Sequence, residues 1–504
     1  MNDAWRRARP ALALLAGVLA AGGSCAQTWV IAPTVSLKET YSDNVAVIAD
    51  ELARRGWITD VTPGIRIDHT AARAAGFLDY KYHYLRYSSL RGLDKRQQSL
   101  TSRLNLEAVE RFLFLDARAD ITQQNRSPFA AAVAPDQPSA SSNRVETRLV
   151  QVSPYVSGDL FGLTNYRLRY TATDVRSEDL VALPRTRIGE FTGRFRNAAP
   201  SAALGWAIDV NTLSVRNDVA GSVEDSRIRG SLIYAIYPQL HVFASDGYER
   251  TDFLGPTRKS SNTPGVGLDW VPTPRTKVGG VYEKRFFGDG HLLNVSHRTA
   301  YTSWQFSSSR DATILPGIVS SGAGAVYILM NELLAATFPD PATRATVVRS
   351  RLDAAGLPGG LSFSTGSVDA RPILQRSHKG SVGLLLPRDT ITFGYSRIEQ
   401  HGFGSNLSAT LVANDYRQQG FSANWAHQMT PLTSLTLLAT SLRTEGLTTT
   451  TIETRQRALS LLLTTRLGPK TSAAFGIRHV EFDSTVPLSG YHENAIFGSM
   501  TVKM

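Results

Sequence analysis

The feature that most constrains this chain is a two-residue alternation of apolar and charged side chains, recurring from residue 29 to the C-terminus. Leu78, Tyr80, Tyr82 and Tyr84 share one face, and Asp79, Lys81 and His83 the other. Leu113, Leu115, Ala117, Ala119 and Ile121 oppose Asp116, Arg118 and Asp120. Ile228, Gly230, Leu232, Tyr234 and Ile236 form an uncharged face, as do Ile496, Gly498, Met500, Val502 and Met504. A period of two is the pattern of β-strands whose faces meet different surroundings.

A soluble sandwich alternates too, so the connections must discriminate. Short ones such as Glu110-Arg111, Tyr237–Leu240, Pro272–Arg275, Thr430–Thr433 and Gly468–Thr471 alternate with longer polar stretches. The longer ones include Gln123–Arg144, Asp252–Pro264, Gly402–Asn414 and Asp483–His492. Short turns at one rim and long loops at the other are the pattern of outer-membrane barrels. The fold class expected is all-β: a transmembrane antiparallel up-and-down β-barrel of about 22 strands, within a range of about 18–24. An even count places both termini in the periplasm. Trp57, Tyr155, Trp206, Trp270 and Trp425 lie near strand ends and suit interfacial girdles.

Composition agrees. Mean hydropathy is −0.15, too polar for a helical membrane protein. A barrel tolerates this, because only every second side chain meets lipid. The net charge of +11 is spread along the chain, mostly as single residues. Anionic lipid headgroups or an anionic polymer suit that distribution better than nucleic acid.

Arg6, Arg7 and Arg9 precede a short apolar run, residues 11–21, followed by Ser24-Cys25-Ala26. This is the layout of a cleaved signal peptide, residues 1–26, leaving 27–504 as the barrel. Cys25 is the single cysteine, so the mature chain holds no disulfide. Gly22-Gly23-Ser24 before it lacks the leucine of a lipobox. No later apolar run approaches the roughly 18 residues of a membrane helix.

One segment, 313–370, breaks the rhythm. Val326–Thr337 is apolar and rich in helix formers. Asp340-Pro341 reads as an N-cap with proline in the first turn, and Gly356-Leu357-Pro358 as a stop. The expectation is a helical hairpin inserted at the extracellular rim, as a lid or a plug inside the lumen.

Arg66, Asp68, Asp79, Lys81, His83, Arg103, Glu107, Asp116, Arg118, Asp120, Arg167 and Arg169 are the candidate lumen-lining residues. Turning them to lipid would cost about 2–4 kcal/mol for each basic residue at the midplane. Arginines such as Arg167 and Arg169 can select anions or bind acidic sugar polymers. They can equally pair with acids on neighbouring strands and brace the barrel.

Catalytic signatures are lacking. The ten histidines form no His-x-x-x-His or His-Glu-x-x-His pattern, and no Gly-x-Ser-x-Gly elbow occurs. No metal or cofactor is implied. An outer-membrane hydrolase, with partners assembled across strands, stays as an alternative.

Lys38–Val45, followed by Val61–Ile65, resembles the opening of the PEP-CTERM-system-associated outer-membrane β-barrel proteins. Phe338–Arg344 is similar to an insert of that family, and Tyr491–Ile496 to its ending. The resemblance spans essentially the whole mature chain. It implies a Gram-negative outer-membrane protein linked to exopolysaccharide loci, hence to polymer export or surface assembly. The function expected is a porin-like or export-associated barrel. A structural or adhesion barrel with a blocked lumen is the second reading. The partners expected are outer-membrane lipid, an anionic exopolysaccharide and the barrel-insertion machinery. Barrels of this kind usually end in an aromatic residue, whereas this chain ends Val502-Lys503-Met504.

Overall fold

The computed structural model describes residues 28–131, 143–178, 184–197, 203–218, 221–314, 325–335, 344, 347–348, 351–352, 372–403, 415–447 and 452–504. The expected signal peptide, 1–26, and most of the insert lie outside them.

The alternating segments form one antiparallel sheet of 23 strand segments, each paired with its neighbour in sequence. The first strand (Thr28–Ser42) pairs with the second (Gly56–Thr70) and also with the last (Tyr491–Lys503). The sheet therefore closes on itself and leaves no open edge. Lys259–Asn262 and Gly265–Thr273 both pair with Leu240–Thr251 and make one stave, so the closed barrel has 22. Pro264, which has no N–H to donate to the ladder, marks the break.

The connections sort by rim. Residues 71–73, 110–112, 161–163, 238–239, 274–275, 386–388 and 431–432 turn tightly at one end. Arg111, Phe161 and Gly162 adopt positive φ in two of these turns. The chain leaves the other end after Ser42, Asn125, Thr251, Ile314 and Gly402, and turns there within two residues at 286–287.

The two faces are inverted relative to a soluble protein. Leu232 is 63 % exposed, Phe393 57 % and Ile496 52 %, all on the outside, while Asp60, Asp120 and Glu249 are buried on the inside. An apolar exterior on a closed barrel is a surface for hydrocarbon. Trp57 lies outward at the long-loop rim, and Trp206, Trp270 and Trp425 lie outward near the short-turn rim. Tyr155 does not join the expected girdle. It pairs with Phe114, faces the interior and stacks on that ring at 4.8 Å.

Adjacent residues should therefore answer oppositely to one substitution. Leu232→Arg should lose about 2–4 kcal/mol in a lipid-vesicle unfolding titration. Ser231→Arg, facing inward, should lose less than about 1 kcal/mol. Equal losses would invert or abolish the assigned faces.

The expected helical hairpin is not supported. In the insert one helix has described bounds, Ala325–Leu333, Arg344, Val347, Val348, Arg351 and Leu352 are helical positions, and the strand before the insert runs on to Ile314. Most of the expected second arm lies outside the described residues. The helix packs against Thr302–Ile314 and Pro372–Leu385. Leu329 lies over Gly383, where a Cβ would meet its side chain at 3.4 Å. Met330 and Leu334 are buried in a cluster with Val348, Leu352 and Ala426. Gly383 and Ala426 face the interior near the short-turn rim, so the helix is inside the barrel and far from the rim its chain leaves.

Candidate functional site

The candidate site is the lumen. Twenty-two staves leave an interior too wide for side chains alone to fill. What projects inward decides what the barrel can pass or hold.

Strand register places all twelve sequence-selected residues on the interior face. Arg66 pairs with Asp68 at 2.7 Å and approaches Asp79 at 3.9 Å. His83 Nδ1 lies 3.1 Å from Asp60 and 2.9 Å from the Thr62 hydroxyl. Arg103 and Arg118, directly opposite across strands, both bind Asp120, Arg103 at 2.9 Å. Glu107 accepts the Arg111 backbone N–H at the turn. Lys81 is exposed opposite Gly64.

Arg169 donates to Asp116 at 2.7 Å and lies 4.2 Å from the Tyr155 ring centroid. Arg167 lies over the same ring at 5.6 Å and faces Arg194 across the ladder. Arg169 is thus braced, whereas no carboxylate is in ion-pair reach of Arg167 among the described residues. Phe114, Tyr155 and Arg167 make an aromatic and cationic platform on the inner wall near the short-turn rim. Flat apolar ring faces beside a donor-rich cation suit sugar rings bearing carboxylates.

Sequence reasoning missed a second interior network. Arg285 donates to Glu249 at 2.9 Å and to Asp311 at 2.9 Å. Arg227 and Arg229 reach Glu283 at 2.8 and 3.1 Å, and Arg229 continues to Asp209 at 3.2 Å. Arg194 ends the chain on Asp209 at 2.9 Å. Glu249 is fully buried and the Arg285 side chain 6 % exposed. The bridge from the strand Gly221–Tyr237 to Glu283 passes over interior positions held by Gly247 and Gly265. A Cβ at Gly265 would meet that of Glu283 at 3.0 Å, and one at Gly247 the Ile228 carbonyl at 2.3 Å. Those glycines, with no side chain in the way, are the sequence signal that was available.

The long-loop rim is narrowed. Val145, Leu149, Val175 and Val215, all inward, form one cluster with Ile314 and the loop residue Phe253. Phe286 and Phe403 extend it, with ring centroids 5.4 Å apart. The described residues after the strand Leu113–Asn125 also reach the far wall. Phe129 meets Tyr416 edge-on at 6.3 Å, and Ala131 packs with Val480, Phe482 and Tyr491. The described interior is therefore a polar mid-section between an apolar cluster at one rim and a helix near the other.

A serine between two histidines occurs on the outside. Ser308 Oγ lies 3.0 Å from His291 Nε2 and 3.0 Å from His378 Nδ1. Among the described residues no carboxylate pairs with either imidazole, so this trio lacks the acid that orients a hydrolase base.

No family model matches the chain, and no curated protein matches it. Among solved structures it is similar to the siderophore receptor PirA from Pseudomonas aeruginosa, at 9 % identity and a TM-score of 0.45, over 95 % of this chain and 81 % of that one. It is similar to the FrpB iron transporter from Neisseria meningitidis (F5-1 variant), at 9 % identity and a TM-score of 0.49, over 94 % and 82 %. It is also similar to OccAB2 from Acinetobacter baumannii, at 11 % identity and a TM-score of 0.34, over 94 % and 98 %.

Proposed function

We propose that this chain is an outer-membrane conduit for hydrophilic, anionic carbohydrate, held shut at rest by the helix inside its lumen. The observation that carries the reading is the pairing of a charged, aromatic-lined interior with an internal helix held by apolar contacts. A purely structural barrel has no need of both. The apolar belt and the rim asymmetry support the outer membrane as its place. The resemblance of Lys38–Val45 and Phe338–Arg344 to the PEP-CTERM-associated barrels supports a link to exopolysaccharide export or surface assembly. The narrowed long-loop rim favours the second reading, a blocked barrel that binds polymer through its loops.

Planar-bilayer recordings and proteoliposome swelling separate the two. A conduit should show discrete conductance and swell with small sugars. In a salt gradient, Arg167→Ala should shift the reversal potential toward cations, lowering the anion-to-cation permeability ratio roughly twofold. A folded barrel with no conductance under any holding potential would leave the blocked reading standing.

A further inference from the structure

Six neighbouring staves change character at one height on their outer face. On Glu453–Arg466 the outward row runs Leu463, Leu461, Leu459 and then Arg457, Arg455 toward the long-loop rim. On Asp389–Gly402 it runs Ile391, Phe393, Tyr395 and then Arg397, Glu399. Register extends the charged rows around the barrel. Arg397 faces Gln419, which faces Arg443, which faces Arg455. One step higher, Arg376 faces Glu399, which faces Arg417.

The lower row carries Arg397, Arg443 and Arg455 against one acid, Asp483, which faces Arg455 on the next stave. Glu399 serves Arg397 at 2.8 Å, Arg417 at 2.7 Å and Arg376 at 3.9 Å, and Glu445 also reaches Arg417 at 3.5 Å. Glu453 serves Arg443 at 2.8 Å and Arg455 at 3.8 Å. Arg443 and Arg455 stand directly opposite each other and share the Glu453 carboxylate, so the pair keeps a net positive charge. Their side chains stay 49 % and 42 % exposed.

Immediately below lies an apolar groove of about 970 Å³ on the same outer face. Gly380, Ala423 and Ala439 leave its floor low, Phe306 and Phe393 stand as walls, and Arg457 closes it toward the charged rows. Hydrocarbon below and guanidinium above is the profile of an acylated, phosphorylated amphiphile. Staves are about 4.8 Å apart, so the row from Arg397 to Arg455 spans roughly 15 Å. That is wider than one phosphate and suits a headgroup carrying two.

We propose that this belt binds a bis-phosphorylated glycolipid of the outer leaflet, with the structure of lipid A, its acyl chains in the groove and its phosphates on Arg397, Arg443 and Arg455. The proposal rests on the outer-membrane reading, which fractionation and a heat-modifiability gel test separately. The experiment uses full-length protein in phosphatidylcholine vesicles, titrated with purified lipid A, with phosphatidylglycerol and with inorganic phosphate. Lipid A should bind at least about tenfold tighter than phosphatidylglycerol, with an affinity that falls as salt rises. The Arg397→Gln/Arg443→Gln/Arg455→Gln variant should lose at least about tenfold in affinity while keeping its heat-modified gel shift. The corresponding lysine variant should recover part of it. Phosphatidylglycerol or inorganic phosphate binding as well as lipid A would overturn the proposal, as would a folded triple variant with unchanged affinity. Should the triple variant not fold, Arg455→Gln alone carries the test, with a loss expected and no change overturning it.

Discussion

Replacing Leu329, Met330 and Leu334 with alanine should raise the open-channel conductance of the purified barrel by at least about tenfold. Leu329 lies on Gly383, and Met330 and Leu334 are buried against the wall around Ala426. Truncating a buried leucine or methionine costs about 2–5 kcal/mol. Three such losses exceed the roughly 5.5 kcal/mol that carries a two-state element from one per cent open to ninety-nine. Among the described residues the helix's polar tie to the wall is a 3.5 Å contact from Arg298 to the Glu332 carbonyl, and Arg344 donates to Asn331 at 2.6 Å. Single-channel recording checks this. Conductance equal to that of the parent, in a variant that keeps its heat-modified gel shift, would remove the helix from gating.

The largest stability effect should come from Glu249→Ala. The carboxylate is fully buried and takes the Arg285 guanidinium on both oxygens at 2.9 Å. Removing one member of a buried pair leaves an uncompensated charge and typically costs about 3–5 kcal/mol. Glu283 at 3.4 Å and Asp311 at 2.9 Å soften the loss at Arg285, so the lower part of that range is expected. A matched control is Asp209→Ala, whose partners Arg194 and Arg229 are more exposed. It should cost less than half as much. Denaturant titration of folded barrels in vesicles measures both, and a larger loss at Asp209 would contradict the assigned burial.

Much of the architecture was legible because a barrel repeats one physical rule. Asp79, Lys81 and His83 needed only the period of two to be placed opposite Leu78, Tyr80 and Tyr82. The rule fails where side chains meet other protein and neither lipid nor water. Tyr155 is aromatic at a strand end, yet it is interior because it belongs to the row of Ser153 and Ser157. Val145 and Leu149 look like lipid-facing residues but build the apolar cluster inside the rim. The second network was hidden for another reason. Arg229 and Glu283 are more than fifty residues apart, and only closure of the intervening staves over Gly247 and Gly265 brings them together. The outer arginine rows alternate as visibly as any strand. Their meaning depends on register across six staves, which no single segment contains.

The seam between the first and last strands has a kinetic consequence. It pairs Thr34–Ser42 with Ala495–Lys503, whereas the first and second strands pair along their full length. Its polar latch joins Ser42 to Glu493 at 2.9 Å and Asp43 to Asn494 at 2.7 Å, partners some 450 residues apart. Bringing such distant ends together costs about 5 kcal/mol of chain entropy, from (3/2)RT ln n. Local hairpins form without that cost, so the cylinder is sealed last. Until then its two terminal strands present open hydrogen-bonding edges to any neighbouring strand. The same short seam is the natural place for the wall to part under strain. Assembly and rupture of this barrel therefore run through one line of pairing, written in the opening and closing residues of the chain.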